Sequence, residues 1–226
     1  MGIINGNDFI NRLNTLKNEI WFDGQKVEGP ISEHPAFKGI VKSKAALYDV
    51  QHNPSIKDDM TFPSPLSGKL VGTSYLQPKT KEDLMKRSRM IEHWARHTGG
   101  FMGRSPDYLN TVLMSLASSA RFLEGKENCF PDNIRALYEL ARENDLSFTH
   151  TFISPQVNRS QVYMENTPEK KKKKIVEEND KGIVIKGARL LATQGGLTDE
   201  VLVISVSRYI FDPDEAFAFS IPSNTK

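Results

Sequence analysis

Residues 146–153 read LSFTHTFI, and their period divides the chain. In an extended segment Phe148, His150 and Phe152 share one face, while Ser147, Thr149 and Thr151 share the other. Upstream of Asp145 the apolar residues recur mostly at helical spacing. Downstream, short β-prone runs follow at 181–193 (KGIVIKGARLLAT), 200–206 (EVLVISV) and 215–221 (EAFAFSI). Helices are therefore expected in the first two-thirds and sheet in the last third. This is a segregated α+β arrangement rather than alternating βαβ units, with a mainly helical domain over 1–145 and a β-domain over 146–226.

Working back toward the N-terminus, 131–144 (PDNIRALYELAREN) is expected to be a helix with Ile134, Leu137, Leu140 and Ala141 on one side. Before it, Ser105 is suited to cap a helix whose first turn tolerates Pro106, continuing through Leu109, Val112, Leu113 and Leu116. Thr80 with Asp83 has the spacing of a capping box. The helix it opens is expected to bury Leu84, Ile91, Trp94 and Ala95 and to end at Gly99. Further back are a proline-rich loop through Pro63 and Pro65, a helical stretch within 34–51, a hairpin signal at Asp23-Gly24 and a helix over 7–17.

With 38% hydrophobic and 26% charged residues the chain has the composition of a globular protein with a real core. Its 30 basic and 28 acidic residues leave +2, too even to imply nucleic acid or a membrane surface. The single cysteine, Cys129, excludes an internal disulfide framework and any cluster needing several thiolates from these residues, and fits a reducing, cytoplasmic setting. The N-terminal MGIINGNDFINRL carries polar residues throughout, unlike a secretion signal.

Several motifs have plain readings. Lys170 to Lys174 carry no interleaved aromatic and read as a solvated connection. The glycines at 99, 100 and 103 follow a helix rather than a strand, so they form no dinucleotide fingerprint. His93 and His97 share a helical face, but no third ligand is evident nearby. His150 between two phenylalanines fits a hydrogen-bonded core position better than a ligand when taken alone. Arg104 and Tyr108 stand at a helix entrance, where a cation joins the positive end of the helix dipole. That placement suits an anionic or phenolate oxygen, and equally a purely structural arginine.

Three separated stretches are more specific: HWARHTGGFMGRSPDY (93–108), HTFISPQVNRS (150–160) and GARLLATQGGLTDEVLV (187–203). Together, and in this order, they resemble the oxygenase components of 4-hydroxyphenylacetate 3-monooxygenases, two-component aromatic hydroxylases that use reduced FAD. The resemblance runs from about residue 7 to the end of the sequence. It implies an acyl-CoA-dehydrogenase-like architecture: an N-terminal helical domain, a middle β-domain that is incomplete here, and a C-terminal helical bundle that is absent. It also implies an ortho-hydroxylation of a phenol to a catechol through a flavin C4a-hydroperoxide. The flavin would be reduced by a separate NADH-dependent reductase, and the full-length family assembles as a tetramer.

By the same resemblance Arg104, Tyr108 and His150 form the trio that binds and activates the phenol, with Ser105, Pro106 and Asp107 completing that segment. Gln156, Val157, Asn158 and Arg159 match the segment lying along the flavin, His150 also borders it, and Thr193 matches a flavin contact on a later strand. Ser205 and Val206 fall where relatives meet the substrate's carboxylate end. Val206 offers no side-chain hydrogen bond there, which leaves the substrate's acid open. Two competing expectations accompany this one. A 4-hydroxybutyryl-CoA dehydratase, with FAD and an iron–sulfur cluster, needs more cysteines. A truncated, non-catalytic fragment or split-gene subunit needs none of the chemistry.

Overall fold

The computed structural model describes residues 1–153, 174–179, 182–204 and 218–225. Six α-helices and nine short strands are formed among them. Helix α1 (Gly6–Thr15) opens with a capping box in which the Asn5 side chain accepts from the Asp8 amide and Asp8 accepts in return. Asp23 and Gly24 both have positive φ and turn β1 (Trp21–Phe22) into β2 (Gln25–Lys26), a conformation asparagine, aspartate and glycine tolerate. Helix α2 (Lys38–Val50) packs on α1, Phe9 stacking on Tyr48 at 4.9 Å.

The expected proline-rich loop is more ordered than its composition suggests. A short helix α3 (Lys57–Met60) leads into β3 (Thr61–Pro63), which pairs with β4 (Leu70–Gly72). Pro63 is the terminal residue of β3 in a two-stranded ribbon, where a missing N–H is tolerated. Helix α4 (Lys81–His97) has the Thr80–Asp83 capping box, but its buried stripe is Arg87, Met90 and Trp94. Leu84, Ile91 and Ala95 are exposed. The reason is Arg87, whose guanidinium donates to the carbonyls of Thr73, Ser74 and Leu76 and to the Thr111 hydroxyl. A fully hydrogen-bonded arginine can be buried, and it turns the helix by one face.

Helix α5 (Asp107–Ser119) and helix α6 (Pro131–Asn144) complete the helical part. Leu116 and Leu140, expected inside, are exposed; Ala141 is buried and Ile134 and Leu137 pack on the core as expected, joined by Tyr138 and Arg142. Asp145 ends α6 in the left-handed region (φ 48°) and the chain enters β5 (Phe148–Thr151). Strands β6 (Lys174–Asn179) and β7 (Gly182–Lys186) form an antiparallel ribbon. Strand β8 (Glu200–Ile204) is antiparallel to β9 (Ala218–Pro222) and parallel to β5, with Thr151 opposite Val203. Lys170 to Lys173 lie outside the described residues, and Lys174 begins β6.

The core runs across the 145/146 junction. Tyr75, Leu113, Met114 and Tyr138 from the helical part form one cluster with Phe148 and Leu202 from the sheet. A second cluster joins Phe9, Val41 and Tyr48 to Leu197. Each fully buried side chain of this size contributes about 1.5–3 kcal/mol, so neither part keeps its packing without the other. Polar groups bind the same seam. Asp199 is ion-paired with Arg12 (Nε to Oδ1 2.6 Å), accepts from Arg12 Nη2 at 3.0 Å, and accepts from the Ser147 amide and hydroxyl at 2.7 and 2.8 Å. Asp145 accepts from the Ile4 amide and from Gln51.

Candidate active site

The site begins where α4 stops. Gly99 and Gly100 have φ of 60° and 78°. The Gly100 amide donates to Ala95 O and the Gly99 amide to Arg96 O, the paired hydrogen bonds of a Schellman cap. The chain then leaves the helix axis through exposed Phe101 and Gly103 and reaches Arg104. Pro106 already has helical angles (φ −55°, ψ −32°), and the Asn110 amide donates to its carbonyl. Ser105 does not cap the helix through its side chain as expected. Pro106 carries no N–H, and the Ser105 hydroxyl donates instead to the Asp107 carboxylate. That carboxylate sits in the first turn of α5, where negative charge is favoured. Leu109 and Leu113, buried in the core, fix the pitch of α5 and so the position of Tyr108.

Strand β5 supplies the facing wall. Its Phe148 to Thr151 are buried on both faces, so the polar side of the alternation is covered rather than wet. The Thr149 hydroxyl donates to Thr193 O at 2.5 Å and the Thr151 hydroxyl to Leu190 O at 3.0 Å. A bridge pairs Ile153 with Leu190. These contacts draw the 190–194 segment against the strand and place Thr193 and Gln194 at the rim.

A small cleft lies between the two walls, lined by Arg104, Tyr108, Phe148, His150, Thr193 and Gln194 among others. The Arg104 guanidinium lies 4.4 Å from the centre of the Tyr108 ring. The Tyr108 and His150 rings are 5.6 Å apart, and His150 stacks on Phe152 at 5.0 Å with 6° between the planes. His150 is 6% exposed whereas Tyr108 is 38% exposed, so the cleft is closed at the strand and open at the helix entrance. Burial, and then the Arg104 charge, push the His150 imidazole below its ordinary pKa. A neutral imidazole offers one N–H donor. Together the three side chains present a cation, a phenol hydroxyl and an N–H to the same small space, a donor set suited to an anionic oxygen.

The structure thus brings together Arg104, Tyr108, His150 and Thr193. Pro106 is buried behind them, and Ser105 and Asp107 are half-buried beside them. Gln156, Val157, Asn158, Arg159, Ser205 and Val206 lie outside the described residues. Phe148, Thr149 and Gln194 also line the cleft; only the inward phase of Phe148 was signalled by the sequence. His93 Nε2 donates to the Asp59 carboxylate at 3.1 Å beside Arg89, while His97 is exposed. Among the described residues no group of three His, Cys, Asp or Glu is placed to hold a metal, and no helix is long and apolar enough to cross a membrane.

This frame of helices packed beside a small sheet is acyl-CoA-dehydrogenase-like. An archaeal 4-hydroxybutyryl-CoA dehydratase from N. maritimus superposes with a TM-score of 0.82 at 19% identity, a likeness of fold alone. Residues 5–226 match the family described as 4-hydroxyphenylacetate 3-hydroxylase N terminal, and the chain belongs to that family. It is 62% identical over all 226 residues to a probable 4-hydroxyphenylacetate 3-monooxygenase of Bacillus subtilis (strain 168), covering 47% of that protein. Identity is 41% to the 4-hydroxyphenylacetate 3-monooxygenase oxygenase component of Geobacillus sp. (strain PA-9), over 97% of this chain and 44% of the relative. A crystal structure of such an oxygenase component, complexed with FAD and 4-hydroxyphenylacetate, superposes with a TM-score of 0.87 at 40% identity over 99% of this chain and 45% of that one. The chain therefore spans a little under half the length of these relatives.

Proposed function

We propose that this chain carries the phenol-binding cleft of a reduced-FAD-dependent monooxygenase that hydroxylates a phenol, such as 4-hydroxyphenylacetate, ortho to its hydroxyl. The observation that carries the reading is the convergence of Arg104, Tyr108 and His150 from a helix entrance and a strand, at 4.4 and 5.6 Å. A phenol ring carbon becomes a strong nucleophile only as the hydroxyl ionises. Its ordinary pKa is about 10, so bringing it to neutrality requires roughly 4 kcal/mol in favour of the phenolate. The Arg104 charge, the Tyr108 hydroxyl and the neutral His150 N–H supply donors of the required kind in a partly dry site. Arg104 lies over the Tyr108 ring at 4.4 Å, an arrangement in which a guanidinium can still donate its N–H groups to an oxygen.

The residues also suit a flavin. Thr193 stands exposed at the rim, its carbonyl fixed by Thr149, and the His150–Phe152 stack offers a flat partner. Thr193 and His150 would hold the ring system beside the phenol, and reduced FAD would supply the activated oxygen. The wider reading, resting on the family, adds a separate NADH-dependent reductase, a cytoplasmic setting and a tetramer built by the longer protein. A second reading, a non-catalytic fragment or split-gene subunit, is favoured by the open side of the cleft at Tyr108.

The deciding experiment compares this chain with one extended to its relatives' length, each given reduced FAD, oxygen and 4-hydroxyphenylacetate, with the catechol as readout. The extended chain should turn over and the 226-residue chain should not. In the extended chain Arg104→Met should lower hydroxylation by about 100-fold or more, the usual cost of removing one oxyanion donor, and leave FAD affinity nearly unchanged. An equal loss of both would assign Arg104 to the cofactor, and rapid turnover by the short chain would overturn the fragment reading.

A further inference from the structure

We infer that Gln194 is a positioning residue for Arg104. Its Nε2 donates to the Arg104 carbonyl at 3.1 Å across 90 residues of chain. Among the described residues, this is the hydrogen bond that holds the backbone of 102–104, which otherwise crosses from the Gly99-Gly100 cap to Pro106 without a partner. Met102 packs against the cluster of Leu47, Met60, Met90 and Trp94, but Gly103 has open space around it and Arg104 is exposed, so packing anchors the segment at 102 and not beyond it. Between Met102 and Pro106, one side-chain hydrogen bond therefore fixes the backbone from which the Arg104 guanidinium reaches Tyr108.

The turn that carries Gln194 is itself well anchored. Thr149 holds Thr193 O, the Leu197 amide donates to Gln194 O, and Asn18 holds Gly196 O. Gln194 has φ of +62°, a conformation costly for a residue with a Cβ and readily adopted by glycine. Glycine would form this turn with less strain. What glutamine adds is the side-chain donor at the cleft rim, in keeping with strained backbone being retained at functional sites. Its consequence for a bound phenol rests on the function proposed above; its consequence for the loop does not.

Gln194→Gly and Gln194→Lys separate the side chain from the turn. Glycine keeps the backbone and removes the donor, whereas lysine keeps an N–H donor of similar reach. Hydrogen exchange on the 226-residue chain should show the Phe101 and Tyr108 amides exchanging about fivefold faster in Gln194→Gly, the scale of one hydrogen bond. The Leu197 and Trp94 amides should be unchanged, and Gln194→Lys should retain most of the protection. Unchanged exchange at Phe101 and Tyr108, or faster exchange throughout the chain, overturns the assignment. In the extended chain, 4-nitrophenol reports the second step, since its phenolate is coloured. The bound dye should ionise less readily in Gln194→Gly than in the wild type, and again be restored by lysine. Failure of the wild type to bind the dye would count against the proposed function alone, because the exchange pattern decides the role of Gln194.

Discussion

Lys44 offers the most direct test of how this core is charged. Its side chain is buried, its Nζ donates to Leu197 O at 3.0 Å, and the ammonium lies 5.3 Å from the centre of the Phe9 ring. Burial lowers its pKa from 10.5 to about 7, against the attraction of Asp199 and with the repulsion of Arg12. The unfolded chain holds this proton up to about pH 10.5, while the folded chain releases it near pH 7. Between those values the unfolded state binds more protons, so stability rises with pH and is lost as pH falls toward 7. A full proton difference is worth about 1.4 kcal/mol per pH unit. With the folded lysine half-charged at pH 7, the gain from about pH 7 to about pH 9 amounts to about 2 kcal/mol. Lys44→Met keeps the length of the side chain and removes the titration. Urea unfolding of both chains across that range, followed by Trp94 fluorescence, should show the wild type gaining about 2 kcal/mol on the variant. A constant difference would refute the reasoning, because the lysine would then keep its ordinary pKa inside the core.

Asp199→Ala leaves the buried Ser147 amide without its acceptor and the Arg12 guanidinium, still held by the Asn144 and Asp145 carbonyls, without its counter-charge; a loss of about 3–5 kcal/mol is expected, and a thermal midpoint close to wild type would show the knot to be dispensable. Gly6→Ala sets a Cβ 2.7 Å from Ala45 O, which is backbone and cannot step aside. Chemical unfolding should show a cost of about 1–3 kcal/mol. Gly39→Ala in α2, with no neighbour within 4 Å, should be neutral or stabilising in the same assay.

The change of period at LSFTHTFI marked the passage from α6 into β5 because strand and helix spacing are purely local. The capping box at Thr80 and the turn at Asp23-Gly24 were legible for the same reason. The buried face of α4 was not. Leu84, Ile91 and Ala95 make as good a stripe as Arg87, Met90 and Trp94, and the choice depends on carbonyls at 73, 74 and 76 that only the fold brings to Arg87. Strand direction was also hidden: nothing in EVLVI says that it runs parallel to FTHT while pairing antiparallel with AFSIP. Composition offered an anion site at Arg104 and Tyr108 and a core histidine at 150 as separate possibilities. Their meeting follows from α5 packing on β5 through Leu109, Leu113 and Phe148, a long-range contact. Gln194 carried only the signal of a glycine-rich turn.

The seam described above has a consequence for biosynthesis. Arg12 meets Asp199 across 187 residues, Lys44 meets Leu197 across 153, and the Ile4 amide meets Asp145 across 141. A ribosome adding about 5–20 residues per second therefore presents Arg12 roughly 10–40 s before its carboxylate exists. The helices made first are among the last to be completed. Until residue 199 emerges, Phe9, Val41 and Tyr48 form an unfinished apolar face whose closing residue, Leu197, is still being synthesised. Chaperones and neighbouring nascent chains compete for that face throughout the interval, and its long-range closure makes this end of the molecule a slow step in folding.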